Sequence, residues 1–248
     1  MHFVDNFLNR ITMYRLVLYY LIALIGAALL FSFFGLVSFS PANLAFSTLL
    51  ILASCWTANA VFARTFGAEA NAESVYITGL ILVLIISPVA SGDYAGIGFL
   101  IFASVWAMAS KYIFALGKKH LFNPAAFGVA LGALALNQPA TWWVGGNLML
   151  LPFVLIGGLL IARKIRRFDL VGAFSLVALL TIALTASAGG ALTAVGQTLR
   201  YSPFIFFALV MLTEPLTMPP SRFLRVLYGS IVGFLFAPNV HLGSLYLS

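Results

Sequence analysis

Residues 110–137, SKYIFALGKKHLFNPAAFGVALGALALN, decide how the chain is read. One apolar run closes around Lys111, a polar cluster follows at Lys118, Lys119 and His120, and a new apolar segment starts at Asn123-Pro124. Proline at the first helical position has no N–H to leave unsatisfied, so Asn-Pro predicts a helix start. At about 1.5 Å per residue, a helix from Pro124 to Leu136 covers about two-thirds of the ~30 Å hydrocarbon layer. A short helix whose first-turn N–H groups open inside a membrane protein is a ready site for an anion or a polar ligand. The rest of the sequence reads as scaffold around such a site.

Composition makes that scaffold an all-α polytopic membrane protein. Charged residues are 8% of the chain against 62% hydrophobic, and several apolar runs approach the ~20 residues of a spanning helix. A soluble domain of this length would carry far more surface charge. The runs are continuous, whereas a barrel would alternate with period two. The net charge of +7 then belongs to loops facing an anionic leaflet of the lipid bilayer, not to a nucleic-acid surface. Cys55, the only cysteine, lies within an apolar run, which leaves no internal disulfide and no cysteine-held metal or cluster. The first apolar run is long enough to span and no small-residue cleavage site follows it, so it reads as a retained helix.

Apolar segments fall at about 16–39, 44–63, 75–89, 96–116, 124–137, 148–162, 170–187, 203–212 and 224–236. The eighth is broken by Thr213-Glu214-Pro215 and by Pro219-Pro220, and residues 189–200 read as a half-buried loop or short helix. Residues 138–147, with Trp142-Trp143, read as an interfacial loop anchored by aromatics. With the N-terminus in the cytoplasm, Arg10, Arg15, Arg64, Lys111, Lys118, Lys119, Arg163, Lys164, Arg166, Arg167, Arg222 and Arg225 all fall on the cytoplasmic side. Arg200 alone falls outside. The expectation is a single transmembrane domain over 1–248 in the inner (cytoplasmic) membrane, with nine to ten segments including short or broken helices. Its tail ends without a polar stop, as in the membrane part of a longer chain. Ten segments would divide near Trp142-Trp143 into an inverted five-plus-five repeat, with a site near the midplane between broken helices.

Two motifs could carry chemistry. Asn123, Pro124, Ala125 and Ala126 are the expected cofactor-binding residues, offering first-turn N–H groups and an amide to a phosphate or ring carbonyl; the plainer reading is a helix cap. Thr213 and Glu214 form the second, because a carboxylate at the break of an apolar helix is costly unless it faces a cavity or a base; the plainer reading is a loop acid at the cytoplasmic interface, beside Arg222 and Arg225. Lys111 and Arg222 are candidate partners, and Glu73 at the start of the third segment shares the coupling role; Glu69 reads as solvated. The pairs Gly128/Gly132 and Gly229/Gly233 have the small-xxx-small spacing of close helix crossings. Heme is excluded, since His2, His120 and His241 all sit at ends or tails. No metal-spaced carboxylate pair, phosphate loop or Ser-His-Asp set is present, and the catalytic residues stay unassigned.

The runs KHLFNPAAFGVAL at 119–131 and TEPLTMPPSRFLRVLYG at 213–229 resemble the NqrB/RnfD family. Its members are membrane subunits of the sodium-translocating NADH:quinone oxidoreductase and of the Rnf ferredoxin:NAD complex. The resemblance implies inverted repeats of a urea-transporter-like kind and electron transfer through flavin, coupled to Na⁺ or H⁺. It also implies a flavin reductase domain or subunit and other membrane subunits of a redox complex as partners. Family members carry flavin mononucleotide on the threonine of a Ser/Thr-Gly-Ala-Thr motif, which this sequence lacks. A non-covalent FMN or riboflavin, or no cofactor in this segment, is therefore what the resemblance leaves open. The alternatives from the residues alone are a small-solute or ion channel or transporter of the same architecture, and a membrane anchor for a soluble oxidoreductase.

Overall fold

The computed structural model describes residues 8–68, 71–116, 119–187, 189–238, 240–242 and 245–246. His2, Glu69 and Lys118 lie outside the described residues. The fold is helical, with two antiparallel pairs of two-residue strands, Ala115–Leu116 with Lys119–His120 and His241–Leu242 with Leu245–Tyr246. It divides into two compact units, Met1–Phe153 and Val154–Ser248.

Four helices are long and apolar enough to cross a membrane: α1 (Met13–Phe33), α2 (Pro41–Phe66), α4 (Tyr94–Ile113) and α7 (Phe168–Thr185). A fifth span is formed if α8 (Ala191–Tyr201) and the following Phe204–Met211, bent by 67° from it, are taken as one broken span. Within the latter, α9 (Phe204–Phe206) runs into a π-helix, Phe207–Met211. A count of nine to ten spans is not confirmed, and the reason is length. The segments expected at 75–89, 124–137, 148–162 and 224–236 are α3 (Ala72–Ile85), α5 (Pro124–Leu136), α6 (Leu151–Ile165) and α10 (Arg222–Leu235), of 14, 13, 15 and 14 residues. At about 1.5 Å per residue each falls well short of a ~30 Å layer.

Local chemistry sets the starts. Ser40, Asn71, Asp93, Asn123 and Ser221 each accept, through a side-chain oxygen, a hydrogen bond from the backbone N–H three residues on, and Pro41 and Pro124 follow their caps directly. In the first unit α3 is central. It packs against α1, α2, α4 and α5, and Thr78 through Ile85 are all buried, as expected of a helix that is hydrophobic all round. Its C-terminal carbonyls are met by the loop at 141–144: Thr141 and Trp142 donate backbone N–H groups to Ile85 O at 2.9 and 3.0 Å, and Val144 to Leu84 O. The Trp143 indole donates to Val83 O at 2.8 Å and Ile86 O at 3.1 Å. Trp143 is buried and stacks edge-on against Phe39. It is thus a cap for a short helix and not the interfacial anchor that its position beside Trp142 implies.

Both small-xxx-small pairs sit at close crossings. A Cβ on Gly128 would strike the Ala103 carbonyl of α4, and one on Gly132 the ring of Phe99. In the second unit a Cβ on Gly229 would lie 2.7 Å from Leu170 O, and one on Gly233 would strike Phe174 O, so α10 lies directly on the backbone of α7. Phe174, Phe204, Phe207 and Phe236 then interlock at ring separations of 5.3–5.7 Å.

Two stability tests follow from these contacts. Gly229→Ala is expected to lower the thermal midpoint of the detergent-solubilised protein, by an overpacking cost of about 1–3 kcal/mol. Gly172→Ala, where an added Cβ meets open space, should leave the midpoint unchanged or raise it, since alanine is the better helix former. Trp143→Phe keeps the ring but strands two carbonyls and should cost about 1–3 kcal/mol on the same assay; an unchanged midpoint would remove Trp143 as the cap.

Candidate functional site

In the first unit, polar side chains gather where α2 ends, α3 begins and α4 ends. Lys111 lies in the last turn of α4 and is 8% exposed. Its ammonium donates to Ser74 O at 2.9 Å and Ser74 Oγ at 3.0 Å. Next to it, the Tyr112 hydroxyl donates to Asn59 Oδ1 at 2.8 Å; Asn59 projects from α2 and is 7% exposed. Asn71 caps α3 by accepting the Ser74 N–H at 3.2 Å. His120 comes from the short strand pair that follows α4. These residues, with Phe66, Ala68 and Ala115, line a cavity of about 380 Å³.

The cavity has a basic and aromatic character. Its described lining holds Lys111 and His120 as ionisable bases and no carboxylate. Tyr112 packs on Phe62 and Phe66 at ring separations of 6.0 and 5.7 Å. Burial, together with the Lys111 ammonium, holds the His120 imidazole below its ordinary value of 6.5, against a smaller pull upward from the Lys111 backbone. Nδ1 of His120 is buried and has no hydrogen-bond partner.

The residues singled out from sequence are distributed as follows. Lys111 lines the cavity. Glu73, on the first turn of α3, faces away into an ion pair with Arg15 Nε at 3.1 Å, with both side chains well exposed. Asn123 Oδ1 is spent on the Ala126 N–H at 3.0 Å. Pro124 and Ala125 are buried, and Phe114, Phe122 and Phe127 form a ring cluster at the helix start, 5.2–5.8 Å apart. The donors left at this terminus are the Asn123 amide nitrogen and the Ala125 N–H, enough for one polar edge of a ligand.

Thr213 and Glu214 lie in the second unit. Thr213 is 1% exposed and its hydroxyl donates back to Leu209 O at 2.8 Å. Glu214, half-buried, opens a turn whose carbonyl accepts from the Thr217 N–H and hydroxyl at 3.3 and 3.1 Å. Arg222 is exposed. The buried cation of this unit is Arg225, whose Nε and Nη2 donate to Asp169 Oδ2 at 3.0 and 2.7 Å, while Nη1 donates to Pro220 O at 2.7 Å. Among the described residues, no group of three or more His, Cys, Asp or Glu could hold a metal ion.

Sequence reading missed Asn59, Ser74 and Asp169. Asn59 carried a usable signal, being a lone amide within an apolar run. Ser74 and Asp169 carried none, because each looks like an ordinary first-turn residue of a helix.

No protein-family model matches the chain, and no curated protein matches it.

His120 gives a pH test with a fixed sign. A histidine whose folded value lies below its unfolded value binds fewer protons when folded, so its contribution to stability is present above the unfolded value and is lost as pH falls. The thermal midpoint should therefore drop between about pH 7 and about pH 5.5, through the ordinary histidine range. His120→Gln should flatten that drop. An identical profile in the variant would mean that His120 does not couple to folding.

Proposed function

We propose that the chain is a membrane subunit of a redox complex of the NqrB/RnfD type. In this reading it passes electrons from a NAD(P)H- or ferredoxin-linked reductase, with coupled movement of Na⁺ or H⁺. The observation that carries the reading is where the two family-like stretches fall. Residues 119–131 begin at the strand pair and lead into α5, a 13-residue helix capped by Asn123. Residues 213–229 begin where the π-helix ends and turn through Pro220 into α10. Backbone breaks in an apolar helix are tolerated where protein or a lined cavity satisfies the freed groups, and π-helical turns recur at functional sites.

A flavin would supply the one- and two-electron chemistry that no side chain here can perform. Asn123, Pro124, Ala125 and Ala126 would hold one polar edge of it, non-covalently, through the Asn123 amide and the Ala125 N–H. Lys111, Glu73, Thr213 and Glu214 are the residues proposed for ion movement or coupling. Its partners would be a flavin reductase module and other membrane subunits, and its place the inner (cytoplasmic) membrane with the N-terminus in the cytoplasm.

The visible absorption spectrum of the purified protein tests this. Bound flavin that is released by denaturation supports electron transfer. A colourless protein that moves solute into liposomes replaces the reading with transport, and a soluble partner left fully active after removal of this domain replaces it with anchoring. Glu214→Gln should lower electron transfer or coupled ion movement more than it lowers yield; normal activity at normal yield would take Glu214 out of the site.

A further inference from the structure

Helices α7 and α10 of the second unit run parallel, with both starts at one end. The backbone of Gly229 lies against Leu170 and Phe174, that of Gly233 against Phe174 and Ala178, and Arg225 bonds Asp169. Two helix starts side by side present the positive ends of their backbone dipoles together, an end that acids would suit. Yet the first turn of α10 begins at Arg222 and holds no acid, and that of α7 holds Asp169 alone. Residues 163–167, RKIRR, lead into α7. Its N-cap, Arg167, makes no side-chain cap bond, and the Arg167 Nε is buried without a hydrogen-bond partner. Arg163, Lys164, Arg166, Arg167, Arg222 and Arg225 are thus set against Asp169 and Glu214, the only carboxylates of residues 154–248. Whichever cations hold those two acids, four positive charges stay uncompensated within the unit.

An exposed apolar ridge runs down α10 directly beyond Arg222. Phe223, Leu227, Ile231 and Phe234, spaced four, four and three residues apart, share one helix face and are 74, 45, 51 and 50% exposed. Over Arg222–Leu235 the helix is about 21 Å long, close to the ~20–22 Å of one leaflet with its headgroups. The cationic end and the apolar ridge fit two parts of one molecule. We propose that the shared start of α7 and α10 binds an anionic phospholipid, its phosphate on Arg166 and Arg222 and an acyl chain along the α10 ridge. Arg167 adds its charge beside them. A guanidinium meets a phosphate through two parallel N–H bonds, and basic pockets between membrane helices take anionic headgroups. A soluble phosphate compound would use the arginines but not the ridge, which favours the lipid. The inference is independent of the redox reading, since it needs neither electrons nor a cofactor.

The test titrates the full chain, delipidated in detergent, with dioleoylphosphatidylglycerol and with dioleoylphosphatidylcholine, read by thermal shift and native mass spectrometry. Inorganic phosphate at constant ionic strength is the third probe. The expected result is saturable binding of phosphatidylglycerol in preference to phosphatidylcholine. Arg166 and Arg222 are both exposed, so their replacement should leave folding intact. Arg166→Gln and Arg222→Gln should each weaken phosphatidylglycerol binding about fivefold, the worth of one cation at a membrane surface, and together about twentyfold or more. Arg200→Gln, in the last turn of α8, should leave it unchanged, and Ile231→Ser should weaken it while keeping the preference between lipids. The site is overturned by the absence of a preference, by one that survives the double arginine variant, or by one that Arg200→Gln lowers equally. An unaltered affinity in Ile231→Ser overturns the acyl-chain track. Stabilisation by inorganic phosphate equal to that by phosphatidylglycerol replaces the lipid with a soluble phosphate compound, and a delipidated dimer abolished by Ile231→Ser replaces it with a second copy of the chain.

Discussion

Every backbone N–H and C=O that a helix releases within lipid must find a partner in the protein, because the hydrocarbon offers none. The first unit is built around that requirement. Helix α3 stops after 14 residues, and its last carbonyls would be stranded if the loop at 141–144 did not fold onto them. Three backbone amides and one indole are committed there. The extended segment after α3 is served in the same way, with the Val89 N–H donating to Ser47 Oγ at 2.8 Å. A helix so provided for can afford to be short. Since α1, α2, α4 and α5 surround it, its length is matched to its neighbours and not to the bilayer.

The second unit meets the same requirement by close approach. Glycines 229 and 233 bring α10 onto the carbonyl row of α7, where any larger residue would hold the helices apart. The Arg225 guanidinium then reaches both Asp169 and the Pro220 carbonyl, tying the two helix starts and the turn between Pro220 and α10 into one arrangement. Such a pair adds little stability over well-packed apolar residues, but losing one partner strands the other charge at a cost of about 3–5 kcal/mol. Its effect is therefore to fix which start lies beside which.

Much of this order was legible in the sequence. The cap at Asn123-Pro124 and the break at Thr213-Glu214-Pro215 were readable because proline and side-chain oxygens act within a few residues of themselves. The glycine pairs were readable because a small-residue spacing of four has a direct packing meaning. Span lengths were not, since apolar composition cannot distinguish a helix facing lipid from α3, which faces other helices on all sides. Trp143 was misread for a related reason: an aromatic after an apolar run marks an interface only if its N–H has no nearer acceptor. The cavity was illegible because its members, Asn59, Asn71 and Lys111, come from three separate helices and acquire meaning from their shared end.

The same requirement governs the isolated polar groups of this apolar fold. Ser47 Oγ is paired with Val89 and the Thr213 hydroxyl with Leu209 O. Around the cavity the Tyr112 hydroxyl is met by Asn59 Oδ1, the Ser74 N–H by Asn71 Oδ1, and the Lys111 ammonium by Ser74 O and Oγ. Desolvating an amide or imidazole without a partner costs about 1–3 kcal/mol, so each of these pairings protects stability that packing alone would otherwise have to supply.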